Sequence, residues 1–361
     1  MMSILDAYKG KRVFVTGHTG FKGSWLCAIL AHAGAEVTGY ALPPPTDPSL
    51  YEIAGIEKIV HSVVGDVLDF DALNAVFAEC QPEHVFHLAA QPLVRESYKN
   101  PRYTYETNVM GTVNVLECIR LGHSVKSAII VTTDKVYENR EWEWGYRETD
   151  TLGGHDPYSN SKSCAELATQ SYRNSYFDER KLPISTVRAG NVIGGGDFAK
   201  DRIVPDCIRA AMAGRPIEIR NPYSVRPYQH VLEPLVAYLR IAEKQEKEPV
   251  LAGSYNIGPG DEGCSSTAQL ADYFCASWGN DVHWVTQSST GPHEAKFLKL
   301  DCSLVRRSFG WAPLWTLKTT IAKTVDWTKS WMQDENTEQV MKEQINAVMG
   351  AMDSLPSWTQ C

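Results

Sequence analysis

Tyr158 and Lys162 stand four positions apart in Tyr158-Ser159-Asn160-Ser161-Lys162. On a helix, residues i and i+4 share a face, so the phenol and the ammonium would be neighbours. A phenol with a pKa near 10 is only about one part in a thousand ionised at pH 7, a deficit of roughly 4 kcal/mol. An adjacent ammonium, or a cationic nicotinamide ring, favours the phenolate. Tyr158 is therefore a candidate base toward a hydroxyl, with Lys162 tuning it. The same spacing also occurs on plain solvated helix faces. Ser159-x-x-Lys162 mimics a serine-hydrolase motif whose companion motifs are missing.

A second reactive group precedes this one. Thr132-Thr133-Asp134-Lys135-Val136-Tyr137 follows an apolar run, with Thr133 placed 25 residues before Tyr158. Open α/β sheets hold their sites beyond the C-terminal ends of such strands. Thr133 can bond a substrate oxygen. Asp134 can serve as a general acid, which requires a desolvated site. Lys135 is either a base, which requires a pKa below its usual value near 10.4, or an electrostatic stabiliser of an enolate. The bland alternative for Lys135 is a solvated lysine at a strand end.

A third group suits a dinucleotide. Gly17-His18-Thr19-Gly20-Phe21-Lys22-Gly23 follows the first apolar run and opens a helical stretch. Gly17, Gly20 and Gly23 allow a tight turn, and the backbone from Thr19 through Phe21 meets the helix N-terminus, where unpaired N–H groups attract a pyrophosphate. The spacing is G-x-x-G-x-x-G, not the ordinary G-x-G-x-x-G. Gly65-Asp66-Val67 closes the third run, where Asp66 either accepts from an adenine amino group or caps a helix. The second run ends at Tyr40-Ala41 with neither an acid for a ribose nor an arginine for a 2′-phosphate, so NAD and NADP stay open on these residues.

Placing these groups together requires a particular scaffold. Six β-rich runs, Arg12–Thr16, Glu36–Tyr40, Val60–Val64, His84–Leu88, Ala128–Thr132 and Ile184–Arg188, alternate with helical stretches such as Asp69–Cys80 and Pro101–Leu121. Nearly continuous apolar runs are what parallel strands buried on both faces need. The expected fold is α/β, a doubly wound parallel Rossmann-type sheet with a smaller mixed α/β C-terminal lobe. Residues 1–190, with a return segment at about 229–252, would form the dinucleotide-binding domain. Residues 191–228 and 253–361 would form the substrate lobe, with Asn191, Arg202 and Arg226 as candidate diphosphate contacts. A turn residue is the alternative for Asn191, and a surface salt bridge for each arginine.

Composition narrows the function classes. The 361 residues are 43% hydrophobic and 22% charged, which excludes whole-chain disorder. A net charge of −8 gives no basic footprint for nucleic acid. No apolar run approaches the roughly 18–20 residues that span a bilayer, and Met1–Asp6 carries no secretory pattern. Nine scattered cysteines, none in C-x-x-C, lead us to expect reduced thiols in a cytoplasm. His84-x-x-His87 lacks further ligands, so no metal is expected.

The ordered set of motifs resembles the extended short-chain dehydrogenases/reductases over roughly residues 10 to 330. Leu88-Ala89-Ala90-Gln91, Asn108-Val109-Met110-Gly111-Thr112 and Arg188-Ala189-Gly190-Asn191-Val192 resemble further landmarks of that family. The resemblance implies NAD contacts at Leu88, Ala89 and Ala90 and pairing through helices into a homodimer or homotetramer. The Thr133-Asp134 pair is similar to that of the nucleotide-sugar 4,6-dehydratases. Lys135, where most of them carry Glu, and Gly20-Phe21-Lys22-Gly23-Ser24-Trp25-Leu26 resemble the branch acting on CDP-glucose, which serves 3,6-dideoxyhexose and O-antigen synthesis. That likeness implies transient oxidation at C4, elimination across C5–C6 and hydride return to C6. The alternatives are a C4-epimerase or decarboxylating relative, another nucleotide-hexose dehydratase, and a non-catalytic dinucleotide sensor.

Overall fold

A computed structural model describes residues 4–260, 263–279, 281–287 and 297–353. Twelve strands are described: β1 Arg12–Thr16, β2 Glu36–Ala41, β3 His61–Val64, β4 His84–His87, β5 Ser127–Val131, β6 Ile184–Ala189, β7 Asn191–Ile193, β8 Ile217–Ile219, β9 Val225–His230, β10 Ser254–Ile257, β11 Cys264–Ser266 and β12 Trp284–Thr286. Seven of them form one sheet in the order β3-β2-β1-β4-β5-β6-β10, and every pairing in it is parallel.

The period of two along each strand explains why the sheet is covered on both sides. Val13 and Val15 of β1 enter one core with Trp25, Phe86, Ile129 and Val187. Phe14, between them, enters the opposite core with Phe77, Val85, Ile130 and Ile184. Burying each such side chain contributes roughly 1.5–3 kcal/mol, so a one-residue register slip would expose both cores at once. The helix Phe70–Cys80 begins at Asp69, whose Oδ1 accepts from the Ala72 amide at 3.1 Å.

After β6 the chain builds a smaller lobe. It holds a mixed sheet, β11-β9-β7, and the parallel pair β12-β8. Val204, Cys207, Ile219, Leu270, Phe274 and Ile321 share its core. The helix Leu232–Lys247 then returns to the large sheet, burying Leu235, Val236 and Leu239 in the same core as Trp25. β10, expected within the lobe, instead pairs with β6 and widens the large sheet to seven strands. Its four residues include the polar Asn256, and that interruption hides it from a reading of apolar runs. The C-terminal helix Thr337–Asp353 also rejoins the large domain, through Met341, Ile345, Val348 and Met349. Cys361 lies outside the described residues.

The strand order reverses at β1, which is flanked by β2 and β4. Crevices open at such switch points, beyond the strands' C-terminal ends. The Gly17 loop, Leu88–Ala90, the residues Thr132, Thr133 and Lys135, and Gly190–Asn191 all leave that edge and line one cleft of about 1550 Å³. A single-ligand pocket is roughly 300–1,000 Å³, so this cleft has room for two ligands.

Candidate active site

The helix Pro157–Tyr172 opens with Pro at its first position and Asp156 as its N-cap, whose Oδ1 accepts from the Ser159 amide at 3.0 Å. This start fixes the turn that carries Tyr158, and one turn later Lys162 follows on the same face. Both side chains are buried, at 9% and 4% exposure. Lys162 Nζ donates to the Val131 carbonyl at 3.1 Å, tying the helix to the end of β5. Burial pushes the Tyr158 phenol up to about 12; a hydrogen bond with Thr133 opposes the rise, and Asp134 adds to it. Burial also pulls Lys162 down to about 8, with Glu166 opposing. Within the protein alone, desolvation therefore outweighs the help expected from the ammonium. A cationic ring beside the phenol is what remains to tip it toward phenolate.

Asp134 and Lys135 occupy a short turn immediately after β5. The Asp134 carboxyl is fully buried. Its Oδ1 accepts from Thr133 Oγ1 and from Lys135 Nζ, each at 3.0 Å, while Oδ2 has no hydrogen-bond partner. Lys135 also reaches Asn191 Oδ1 at 3.4 Å. Thr133 thus joins the two groups at one strand end: its hydrogen bond acts on the phenol, and its Oγ1 donates to the Asp134 carboxyl at 3.0 Å.

The glycine loop is built for close backbone approach. Gly17 has φ +76°, and a Cβ there would stand 2.7 Å from the Ala89 amide nitrogen. A Cβ on Gly23 would stand 2.1 Å from the Gly17 carbonyl oxygen. Gly20 caps the helix Phe21–His32 without a side chain, leaving the first amides open to an anion. Thr19 donates to the Leu42 carbonyl at 2.8 Å, and Phe21 lines the cleft. Asp66 and Val67 line it as well. Asp66 Oδ1 accepts from the Leu68 amide at 3.0 Å, and Asp69, not Asp66, caps the following helix. Leu88, Ala89 and Ala90 complete this end. The residues fit a dinucleotide: a tight side-chain-free turn, an open helix N-terminus, and Thr107 Oγ1 buried without a partner on the same cleft wall.

The other end holds Asn191, Arg202 and Arg226. Arg202 Nη1 lies 3.1 Å from the Asp197 carboxylate, and Arg226 Nη1 donates to the Val225 carbonyl at 3.0 Å. Asn191 Oδ1 accepts from Lys135 Nζ, which places it beside the turn that carries Asp134 and Lys135. Sequence reasoning quoted Lys22 and gave it no role, yet its ammonium faces the site. Burial pulls it down to about 7, Arg202 and Lys162 repel it, and Asp134 attracts it. The Pro-rich loop also lines the cleft and brings Asp47 to the dinucleotide end, an acidic group that the end of β2 lacks. His84 and His87 are core residues: His87 bonds Thr16 and Thr112, and His84 Nε2 lies 3.1 Å from Glu246. Among the described residues no cluster of three metal-ligating side chains occurs.

Comparison with known proteins agrees with this geometry. A family model described as GDP-mannose 4,6 dehydratase matches residues 14–324. The CDP-glucose 4,6-dehydratase of Salmonella typhimurium is 48% identical over 350 residues, 95% of this chain and 98% of that protein. The dTDP-glucose 4,6-dehydratase of Xanthomonas campestris is 25% identical over 93% of this chain and 99% of its own. Among solved structures, the UDP-glucose 4-epimerase of Thermotoga maritima with UDP-glucose superposes with a TM-score of 0.77 at 22% identity, covering 89% of this chain and 99% of that one. The dTDP-glucose 4,6-dehydratase of Bacillus anthracis in complex with NAD gives 0.74 at 21%, covering 89% and 97%. These structural likenesses establish the fold. With its sequence matched over most of its length and its reactive residues gathered at one strand end, the chain belongs to the GDP-mannose 4,6 dehydratase family, within the extended short-chain dehydrogenases/reductases.

Proposed function

We propose that this protein converts CDP-glucose to CDP-4-keto-6-deoxyglucose, a 4,6-dehydration that uses NAD without net consumption. The observation that carries the reading is the juxtaposition of Tyr158, Thr133 and Asp134–Lys135 at one buried strand end. An epimerase needs the first half of that group and has no use for the second. The 48% identical Salmonella protein supports CDP as the carrier.

NAD, when bound, supplies the hydride acceptor at C4 and the donor at C6. Tyr158 takes the C4 hydroxyl proton, with Thr133 bonding the same oxygen and Lys162 adding positive charge behind it. The resulting ketone acidifies C5–H. Moving one proton across the 3.0 Å Lys135–Asp134 contact turns ammonium and carboxylate into amine and carboxylic acid. The amine then takes the C5 proton, the acid protonates the departing C6 hydroxyl as water, and the ion pair is restored. The elimination therefore balances within the dipeptide; when C6 receives the hydride, C5 takes a proton back from the Lys135 ammonium, and the proton that Tyr158 removed from the C4 hydroxyl restores that ammonium through solvent.

Gly17, Thr19, Gly20, Phe21 and Gly23 would cradle the pyrophosphate, Asp66 and Val67 the adenine, and Leu88 to Ala90 the nicotinamide half. Asn191, Arg202 and Arg226 would hold the nucleotide diphosphate sugar in the lobe of residues 191–228 and 253–361. The product would feed dideoxyhexose and O-antigen assembly in the cytoplasm. The thiols of Cys27, Cys118, Cys207 and Cys302, buried without disulfides, support a reducing compartment. Tyr103, Met110, Leu121, Leu167 and Tyr176 are exposed on the helical segments 101–121 and 157–177, which supports a homodimer through those faces, doubled in a tetramer. Among the described residues no helix is long and apolar enough to cross a membrane.

The test is purified protein with NAD and the CDP, dTDP, UDP and GDP esters of glucose. The expected result is a 4-keto product, absorbing in alkali, with a new C6 methyl signal, fastest from the CDP ester. Product without a methyl group, or no turnover of any ester, overturns the reading; a faster dTDP ester overturns the carrier.

A further inference from the structure

Glu166 lies one helical turn beyond Lys162 and is 2% exposed. Its carboxylate accepts from Thr132 Oγ1 at 2.5 Å, from Thr186 Oγ1 at 2.6 Å and from Arg188 Nη2 at 2.8 Å. Arg188, on β6, also donates to the Tyr137 hydroxyl at 2.8 Å and the Glu148 carbonyl at 3.1 Å. Its guanidinium lies 5.1 Å from the Tyr137 ring centroid. Tyr137 in turn donates to Asn256 Oδ1 of β10 at 2.6 Å. Thr132 immediately precedes Thr133, and Tyr137 ends the turn that carries Asp134 and Lys135. A single buried ion pair therefore holds both ends of the reactive turn and the helix that bears Tyr158 and Lys162.

Buried ion pairs are poor devices for stability, because apolar residues of similar volume hold a fold as well or better. The charge of this one has a direction. Glu166 is the carboxylate acting on Lys162. From other elements Lys162 faces His87, held neutral by burial, and Lys22, whose ammonium repels it; Tyr158 faces it from its own helix. We propose that Glu166 is a positioning residue: clamped by Arg188, it sets a fixed negative charge against the Lys162 ammonium and, through Thr132 and Tyr137, holds Thr133, Asp134 and Lys135 in register with Tyr158. The inference deepens the dehydratase reading and rests on it for the word register, while the charge on Lys162 can be measured without substrate or cofactor.

The test uses the full chain with carbon-13 at lysine Cε, the Lys162 signal being identified by its loss in Lys162→Met. In Glu166→Gln the midpoint of that signal's titration falls by about one unit or more, a tenfold or greater loss of proton affinity. The alkaline limb of kcat moves to lower pH with it, and KM stays within about twofold. Glu166→Gln leaves Arg188 buried without its carboxylate, so Glu166→Gln with Arg188→Met is measured beside it, and the same fall is expected. Tyr137→Phe keeps the Lys162 midpoint and slows product formation at least tenfold. An unmoved midpoint in the Glu166 variants overturns the charge role, and full activity in Tyr137→Phe overturns the register role. A wild-type chain that leaves CDP-glucose unchanged sinks the dehydratase reading, while the lysine titration still decides the charge role.

Discussion

Lys135 Nζ and Asp134 Oδ1 lie 3.0 Å apart, the first group 29% exposed and the second fully buried. Thr133 caps the turn, its Oγ1 accepting from the Lys135 amide at 3.4 Å. In the mechanism proposed above, the acid and the base of one elimination are thereby carried on a single dipeptide.

Asp134→Asn and Lys135→Met separate the two half-reactions. General acid–base groups contribute typically 10²–10⁴-fold, so each variant is expected to lose about that factor in 4-keto-6-deoxy product. Substrate deuterated at C4 should be bound and oxidised by both. Solvent exchange at C5 should vanish in Lys135→Met, which removes the C5 base, and fall sharply in Asp134→Asn, which removes the carboxylate that takes the Lys135 proton. Near wild-type product from both variants would falsify the elimination roles.

Tyr158→Phe removes the phenol proposed above as the base that opens the reaction. With the phenol pushed up to about 12 by burial, the free protein should show tyrosinate absorbance from this residue only in strong alkali. Adding NAD brings a positive ring to the phenol, so the transition should shift to lower pH, and Tyr158→Phe should erase that shift along with at least about 10³-fold of turnover. A wild-type titration unmoved by NAD would place the ring elsewhere.

The cofactor loop can be tested through its glycines. Gly23→Ala forces a methyl group to 2.1 Å from the Gly17 carbonyl, and Gly17→Ala both strains φ +76° and crowds Ala89. Each should cost about 1–3 kcal/mol of stability by overpacking and empty the protein of dinucleotide. Gly20→Ala meets only the Gly17 carbonyl at 3.4 Å and should retain most binding. Equal NAD content in the three variants would mean that the pyrophosphate does not sit on this turn.

These glycines were legible in the sequence because local backbone geometry needs them and little else can replace them. All six expected strands end within one residue of their observed ends, since strands in a sheet covered on both faces read as apolar runs. Tyr158, Lys162, Thr133, Asp134 and Lys135 were legible as a set because each sits on a short segment whose chemistry is unusual. Lys22, Glu166 and Arg188 were not assigned. Their meaning lies in contacts between elements far apart in the chain: Lys22 beside Arg202 and Asp134, Glu166 against Arg188 and Thr186. β10 was missed for the related reason that Tyr255 and Ile257 alternate with Ser254 and Asn256, whose partners, among them β6, Tyr137 and Glu148, lie far away in the chain.

Acid should weaken the fold through its buried histidines. His87, hydrogen-bonded to Thr16 and Thr112, is held down to about 3 by burial and by Lys162, and His230 to about 3 by burial and by Lys323. A base held below its unfolded value of 6.5 contributes stability that is complete above that pH and is lost as pH falls toward 3. At pH 5 each such ring costs about 2 kcal/mol relative to pH 7. Glu233 runs the other way: burial raises it to about 7, against the Leu314 and Trp315 amides, so its contribution is complete below 4.5 and lost as pH rises through 7. His230 and Glu233 therefore offset each other at the joint between the domains, which leaves His87 as the cleaner probe. His87→Gln keeps both hydroxyl partners and cannot take up a proton. Urea unfolding at pH 7.5 and pH 5 should show the variant losing about 2 kcal/mol less than wild type over that interval. An identical loss in the two proteins would mean that the ring is already charged, or wet, in the native fold.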